Sequence, residues 1–168
     1  MAHLKGTRVV YLITQPAFVG IDYTKLCLRW FLSPLRLDLE KMVVQFDELT
    51  YTYVSGKQED GTQYATVNGE PMDIELFYSF YRLVTSAASD GKYLESITAE
   101  GMPLLTITYF YKDADKLPDT MTLYSGESRR VNVDINGTIE FDMRASFVEA
   151  MKSACKRTVS GETIEENW

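Results

Sequence analysis

The sequence is poor in histidine and cysteine. His3 is the single histidine of the 168-residue chain, so Ser-His-Asp or Cys-His catalysis and histidine-based metal sites would lack their usual base or ligand. Two cysteines are too few for a disulfide scaffold in a chain of this length. Cys27 and Cys155 both fall in apolar helical patterns, and we expect two small buried side chains rather than a disulfide.

Basic charge is also scarce. The chain carries 17 Lys and Arg against 24 Asp and Glu, a net charge of −7, and no basic run exceeds Arg129-Arg130. Nucleic-acid binding needs a basic surface that displaces counterions from phosphates, and anionic membranes need a similar one, so both partners are disfavoured. The most apolar stretch, 9–37, is interrupted by charges and by Pro34 and does not predict a membrane span.

Glycine-rich phosphate loops and a calcium loop are missing as well. No glycine-rich segment follows a predicted strand and opens a helix. The acidic segment 113–119 differs from a helix-loop-helix calcium site, because Pro118 and Tyr124 stand where that motif has glycine and glutamate. We interpret the segment as a solvated hairpin loop. The first six residues have no apolar core, so no secretory signal is predicted.

Part of the sequence recurs about 70 positions later. A Thr-x-Thr-x-x-Ser-Gly pattern, an Asn-Gly turn and a pair of apolar helix positions each occur twice. Positions 50–56 recur at 120–126, and Asn68-Gly69 recurs at Asn136-Gly137. Phe77 and Tyr81 correspond to Phe147 and Met151. These are turn and packing residues, so the repeat indicates modular architecture and assigns no chemistry.

Residue periodicity predicts an α+β fold of antiparallel sheet units, each followed by a helix packed on one face. The order is β-α in 1–40, then β-β-β-α in 41–100 and β-β-β-β-α in 101–168, which we interpret as an internal duplication. Segment 1–40 is interpreted as the tail of a truncated upstream unit. Strands are predicted over 8–14, 42–47, 49–55, 62–67, 93–98, 104–111, 120–124, 130–135 and 138–143.

Three helices are predicted from capping residues and apolar stripes. The first runs from Asp22 to about Leu32, and the second begins after Asp73. The third begins at Ser146, whose side chain we expect to form a capping box with Glu149, and ends at Gly161.

Five tyrosines on predicted strands form the candidate binding face: Tyr51, Tyr53, Tyr109, Tyr111 and Tyr124. Their rings are suited to stacking on sugars or on a protein partner. The same alternation also suits cross-strand packing beneath the helices, and packing is the favoured interpretation.

Three functions remain open from the residues alone. The leading one is a non-enzymatic interaction or scaffolding module that uses an exposed sheet face or an edge, for which Thr108 is our candidate position. The second is a small-ligand or carbohydrate-binding module built on the tyrosine faces. The third, and least favoured, is an enzyme that uses two carboxylates, such as a glycosidase. The acids eligible by type are Glu48, Glu95, Glu100 and Glu140.

The order of several motifs resembles an uncharacterised bacterial family, the domain of unknown function numbered forty-three-forty. The likeness runs from about Val9 to Ile164. It includes a Val-Tyr-Leu-Ile strand, Asn68-Gly69 before a Phe-Tyr-rich helix, a Pro-Leu-Leu-Thr-Ile-Thr-Tyr strand at 103–109 and a hairpin through Asn136-Gly137.

The resemblance implies an envelope protein tethered by an N-terminal membrane helix and facing outward, with some relatives beside gliding-type ABC transporter components. It supplies no catalytic residues. On this reading the chain is an untethered, soluble portion whose partner is an envelope protein, with no enzymatic activity, cofactor or metal.

Overall fold

The computed structural model describes residues 2–3, 10–11, 29–91 and 93–168. These residues form two α-helices and a nine-stranded antiparallel sheet, and they also include a separate pair of short strands. The expected α+β class is confirmed. The short pair is β1 (Ala2–His3) and β2 (Val10–Tyr11). The helices are α1 (Ile74–Thr85) and α2 (Ser146–Ser160).

The large sheet joins both halves of the chain. Its strands are β3 (Leu39–Phe46), β4 (Leu49–Lys57), β5 (Gln63–Val67), β6 (Glu70–Met72), β7 (Tyr93–Ile97), β8 (Leu105–Tyr111), β9 (Asp119–Ser125), β10 (Arg130–Ile135) and β11 (Thr138–Arg144). Their order across the sheet is β6-β5-β4-β3-β8-β9-β10-β11-β7. Strand β7, which we assigned to the unit 41–100, pairs with β11 of the other unit. The central pair β3–β8 makes the predicted units two halves of one sheet.

Side chains in the strands alternate strictly between buried and partly exposed positions, and this alternation accounts for strand formation. In β8, Leu105, Ile107, Tyr109 and Tyr111 are buried, and the residues between them are half-exposed. Successive side chains of a strand point to opposite faces, so each central strand contributes one row to the core. The rows from both halves and the buried stripes of both helices belong to one core cluster.

Both helices lie on the same face of the sheet, as the sequence predicts. The ring of Tyr53 in β4 stacks on Phe80 of α1, with centroids 4.1 Å apart. The hydroxyl of the same tyrosine lies 2.8 Å from the Thr158 hydroxyl of α2. One side chain of a central strand therefore contacts both helices.

The helix ends partly follow the predicted caps. Oδ1 of Asp73 accepts hydrogen bonds from the backbone N–H groups of Glu75 and Leu76, at 2.9 and 3.0 Å, so this cap is confirmed. Gly161 ends α2 with a φ of 69°, also as predicted. The capping box at Ser146 is wrong. Ala145 occupies the N-cap position and Ser146 is already helical, so its hydroxyl caps nothing.

Two Asn-Gly turns have the same geometry. Asn68 and Asn136 have φ values of 51° and 53°, and the glycine after each is also at positive φ, as a tight hairpin turn requires. Oδ1 of Asn68 accepts from the N–H of Thr52, and Oδ1 of Asn136 accepts from the N–H of Thr120, each at 2.8 Å. The first turn opens β6, a strand that the sequence analysis missed.

The spacing between the halves is not a constant 70 residues. The turns are 68 positions apart, whereas the buried helix positions correspond at 71, as in Phe80 with Met151 and Val84 with Cys155. The difference arises because β11 is longer than β6. Each half contains four consecutive strands and a helix, one strand more than predicted for the first.

Residues 30–36 lie along α1 and its C-terminal end rather than forming the end of a helix. Trp30 forms an isolated bridge with Ala88, so the last turn of the predicted 22–32 helix is wrong. Further on, the Tyr81 hydroxyl donates to the Pro34 carbonyl. The rest of that helix, Cys27 and most of the predicted strand 8–14 fall outside the described residues. No helix among the described residues is long and apolar enough to cross a membrane.

Candidate interaction surfaces

Four of the five predicted tyrosines are in the core. Tyr51, Tyr53, Tyr109 and Tyr111 are at most 8% exposed, beneath the two helices. Buried rings cannot stack on a ligand, so the candidate binding face is corrected to cross-strand packing for these four. Tyr124 is half-buried and lies on the opposite face of the sheet, where it pairs with Asn132.

Tyr53 and Cys155 are inert core groups. Thr158 Oγ1 donates to the Cys155 carbonyl at 2.8 Å, which uses its single proton, so the Tyr53 hydroxyl must be the donor to Thr158. Burial raises the pKa of Tyr53 and raises the pKa of the Cys155 thiol to about 12. Cys155 is a buried free thiol, as expected, and stays protonated at neutral pH, which removes it as a nucleophile.

Tyr109 and Tyr111 differ in how their hydroxyls are satisfied. The Tyr111 hydroxyl donates to Asp119, and the Lys116 ammonium lies 3.4 Å from the centre of the Tyr111 ring. The Tyr109 hydroxyl is buried and has no hydrogen-bond partner among the described residues. Burial is the main cause that raises the pKa of both tyrosines.

The two buried tyrosines Tyr53 and Tyr109 should respond to the same substitution with opposite signs. Tyr53→Phe removes a made hydrogen bond and should lower the free energy of unfolding by about 1 kcal/mol. Tyr109→Phe removes an unsatisfied buried hydroxyl and should raise it by about 1 kcal/mol or more. Urea unfolding followed by circular dichroism measures both. Destabilisation by Tyr109→Phe would show that its hydroxyl is satisfied in solution.

The sheet has a second face that neither helix covers. We call it the open face, and define it by side chains on β3, β4, β8 and β9 that alternate with the buried rows: Val43, Gln45, Thr50, Thr52, Thr106, Thr108, Phe110, Thr120, Thr122 and Tyr124. All of them are half-exposed or exposed. Six are threonines, and each presents one methyl group and one hydroxyl.

Contacts within the open face are weak and local. The hydroxyls of Thr108 and Thr120 lie 3.4 Å apart on paired strands, and Gln45 Nε2 lies 3.4 Å from Thr50 Oγ1. These distances are at the long end of hydrogen bonding, so the hydroxyls keep capacity for other partners. Thr108 is not at an edge, since its strand pairs with β3 on one side and β9 on the other. The predicted edge at this position is therefore wrong.

An ion-pair cluster fixes the margin of the open face next to β7. Arg130 Nε and Nη2 donate to the two carboxylate oxygens of Asp142 at 2.6 and 2.8 Å. Nη2 also donates to Asp90 at 2.8 Å, and the other oxygen of Asp90 lies 2.6 Å from Arg144 Nε. These hydrogen bonds, first of all that to Asp142, raise the pKa of Arg130. All four charges are paired with one another, which indicates a structural role.

The described residues offer little for small-molecule chemistry. Two cavities of about 200 Å³ lie beside α2, which is below the 300–1,000 Å³ typical of ligand pockets. Within the described ranges no group of three His, Cys, Asp or Glu side chains could hold a metal ion. In the loop 113–119, Asp113 accepts a hydrogen bond from the N–H of Asp115. Asp119 likewise accepts from Asn136 at 2.9 Å, as expected for hairpin structure.

The eligible carboxylates come from separate parts of the fold. Glu48 lies in the β3–β4 turn, Glu100 in the loop before β8, and Glu140 in β11. Glu95 belongs to β7, and its side chain lies outside the described part of the chain. The structure thus singles out no pair for two-carboxylate catalysis.

The Thr-x-Thr repeat indicated architecture from the sequence, but its threonines also form much of the open face. The signal was present, because the residues between predicted buried tyrosines or aliphatics must face the other way. What the sequence did not show is that both helices would leave that face uncovered. Comparison with protein-family models, with curated proteins and with solved structures finds no match.

Proposed function

We propose that the protein is a non-enzymatic interaction module that binds a protein partner through its open face. The observation that supports this function is that both helices pack on one face of the central strands, while the other face presents half-exposed methyl and hydroxyl groups. Hydroxyls with weak internal partners remain available to hydrogen-bond a partner, and the methyl groups, Val43 and Phe110 supply apolar area.

The size of the open face favours a protein over a small ligand. The four adjacent strands β4, β3, β8 and β9 span about 14 Å at a spacing of about 4.8 Å, and strands of seven residues are about 24 Å long. The resulting footprint is about 340 Å², compared with about 800 Å² per partner in a standard stable interface. A footprint of this size suits a weak or transient protein contact.

The family resemblance adds a location and a partner class to the proposal. It favours an extracytoplasmic module whose partner is a cell-envelope protein, such as an ABC transporter component. We also propose that the two halves arose by duplication. The equal order of four strands and a helix and the matching Asn68 and Asn136 turns support that origin. The carbohydrate-binding alternative loses four of the five rings on which it depended.

A crosslinked pull-down from native envelopes tests the open face. Thr108→Lys places a long charged side chain at its centre and should reduce recovery of the partner at least tenfold. Thr62→Lys, at an exposed loop position away from this face, makes the same charge change and should leave recovery at the parent level. Equal recovery by both variants, or no specific protein recovered by the folded parent, would contradict the proposal.

A further inference from the structure

The residues after α2 fold back across both helices. We call residues 162–168 the tail. The tail reverses direction at Gly161, where the N–H of Glu162 donates to the Arg157 carbonyl at 3.0 Å. It then runs antiparallel to α2, because its first residue lies near the end of that helix and its last residue, Trp168, contacts Phe147 near the start.

Trp168 and Glu166 bind the tail to a groove between the helices. The Trp168 ring packs edge-on against Phe147 of α2 at 5.4 Å, and its Nε1 donates to Ser86 Oγ at the end of α1 at 2.9 Å. Arg82 of α1 donates two hydrogen bonds to the Glu166 carboxylate, from Nε at 2.8 Å and from Nη2 at 2.6 Å. The tail side chains that contact the two helices are thus an acidic residue and, two positions later, an aromatic one.

The tail fills this groove incompletely. A cavity of about 200 Å³ remains between α2 and the tail. Its lining on the helix side is Ala150, Ser153, Ala154 and Arg157, and its lining on the tail side is Ile164, Glu165 and Asn167. The cavity opens to solvent, so the tail leaves part of the α2 surface beside it uncovered.

We propose that the groove between α1 and α2 is a peptide-binding site, that the tail occupies it in cis, and that a partner's extended peptide with the same acidic-x-aromatic pattern takes its place. This site lies on the helix-covered side of the sheet, so it is independent of the open face. The proposal rests on the bidentate Arg82–Glu166 pair, the Trp168 contacts and the unfilled cavity.

The tail is held weakly enough to exchange. Arg82 and Glu166 are 57% and 40% exposed, and solvent screens an ion pair of this kind, so it contributes little. Ile164 and Trp168 are only half-buried. Gly161 joins the tail to α2 at a φ of 69° with open space on its Cβ side. The covalent connection gives the tail an effective concentration on the order of millimolar, so a partner's peptide must bind the groove more tightly than the tail does in order to replace it.

Fluorescence polarisation with a labelled peptide of residues 161–168 tests the site. The full chain carrying Glu166→Lys and Trp168→Ala should release its tail, because a lysine then faces Arg82 and the aromatic anchor is lost. We expect this variant to bind the labelled peptide at least tenfold more tightly than the parent chain, whose groove is occupied. A peptide of the same composition in scrambled order is the control and should not bind.

A charge exchange separates recognition from non-specific adhesion. For this test the tail is released with Glu166→Ala and Trp168→Ala, so that it cannot pair with a new charge at position 82. Adding Arg82→Glu to that chain should abolish binding of the parent peptide, and a peptide with Lys in place of Glu166 should restore it. Equal binding of the peptide to the parent and the tail-released chain would overturn the proposal. Loss of the cooperative thermal transition in the tail-released chain would also overturn it, because the tail would then be required for folding. Neither result bears on the open face.

Discussion

Phe80→Ala should lower the free energy of unfolding by about 3–5 kcal/mol, as large-to-small changes of a buried phenylalanine do. Phe80 is 0% exposed, lies on the buried stripe of α1 and stacks on Tyr53 at 4.1 Å. Truncation removes its apolar transfer energy and leaves a cavity between helix and sheet that neighbouring strands cannot close. Since domains of this size are stable by about 5–15 kcal/mol, about a fifth or more of the total would be lost.

The sheet provides a matched control for Phe80→Ala. Phe110 is also a phenylalanine at the centre of the fold, but it lies half-exposed on the open face, where the Lys41 ammonium is 4.7 Å from its ring centre. Phe110→Ala opens no enclosed cavity and should cost about 1 kcal/mol. Urea unfolding monitored by circular dichroism compares the two. Similar losses would mean that the two faces are buried to similar extents and would remove the basis for an open face.

Gly91→Ala should destabilise the protein by about 3 kcal/mol, close to the cost of breaking a buried ion pair. A Cβ atom at position 91 would lie 1.5 Å from Asp142 Oδ1 and 2.0 Å from Arg130 Nη2. The methyl group would therefore force apart the bidentate pair that joins β10 to β11. Asp142 is only 10% exposed, so water cannot readily replace Arg130 as its partner.

The control for Gly91→Ala is a second glycine with ordinary backbone angles. At Gly56 the nearest atoms to a new Cβ belong to the Tyr64 ring, which is 37% exposed and free to swing outward. Gly56→Ala should change the free energy of unfolding by less than about 1 kcal/mol. A double-mutant cycle of Gly91→Ala with Asp142→Ala should be strongly non-additive, since both act on one ion pair. If the losses in free energy of unfolding are additive, the cost of Gly91→Ala does not arise from the Arg130–Asp142 pair.

Local patterns in the sequence predicted most of the elements. Alternation gave the β8 row from Leu105 to Tyr111, and the Asn136-Gly137 turn and the Asp73 cap follow from backbone requirements that few other residues meet. These features depend on neighbours within a few positions. The wrong capping box at Ser146 shows the limit of local patterns. The end of the preceding strand places Ala145, rather than the serine, at the N-cap position.

Features that depend on distant pairing could not be predicted in this way. Strand β6 contains Pro71 and is only three residues long, so alternation is too short to detect. Strand β7 pairs with β11, which comes much later in the chain, and no local pattern encodes this pairing. The same holds for the open face, which exists only because both helices pack on one side.

The central β3–β8 pair has a consequence for how the chain is made. Val44 pairs with Ile107, so β3 obtains its second neighbour only after more than sixty further residues have been synthesised. During translation, strands β3 to β6 can therefore pair with one another while the edge of β3 that will face β8 is still unpaired. An unpaired edge of this kind is a template for aggregation. A nascent chain paused before β8 should depend on a chaperone, and one that has completed β11 should not.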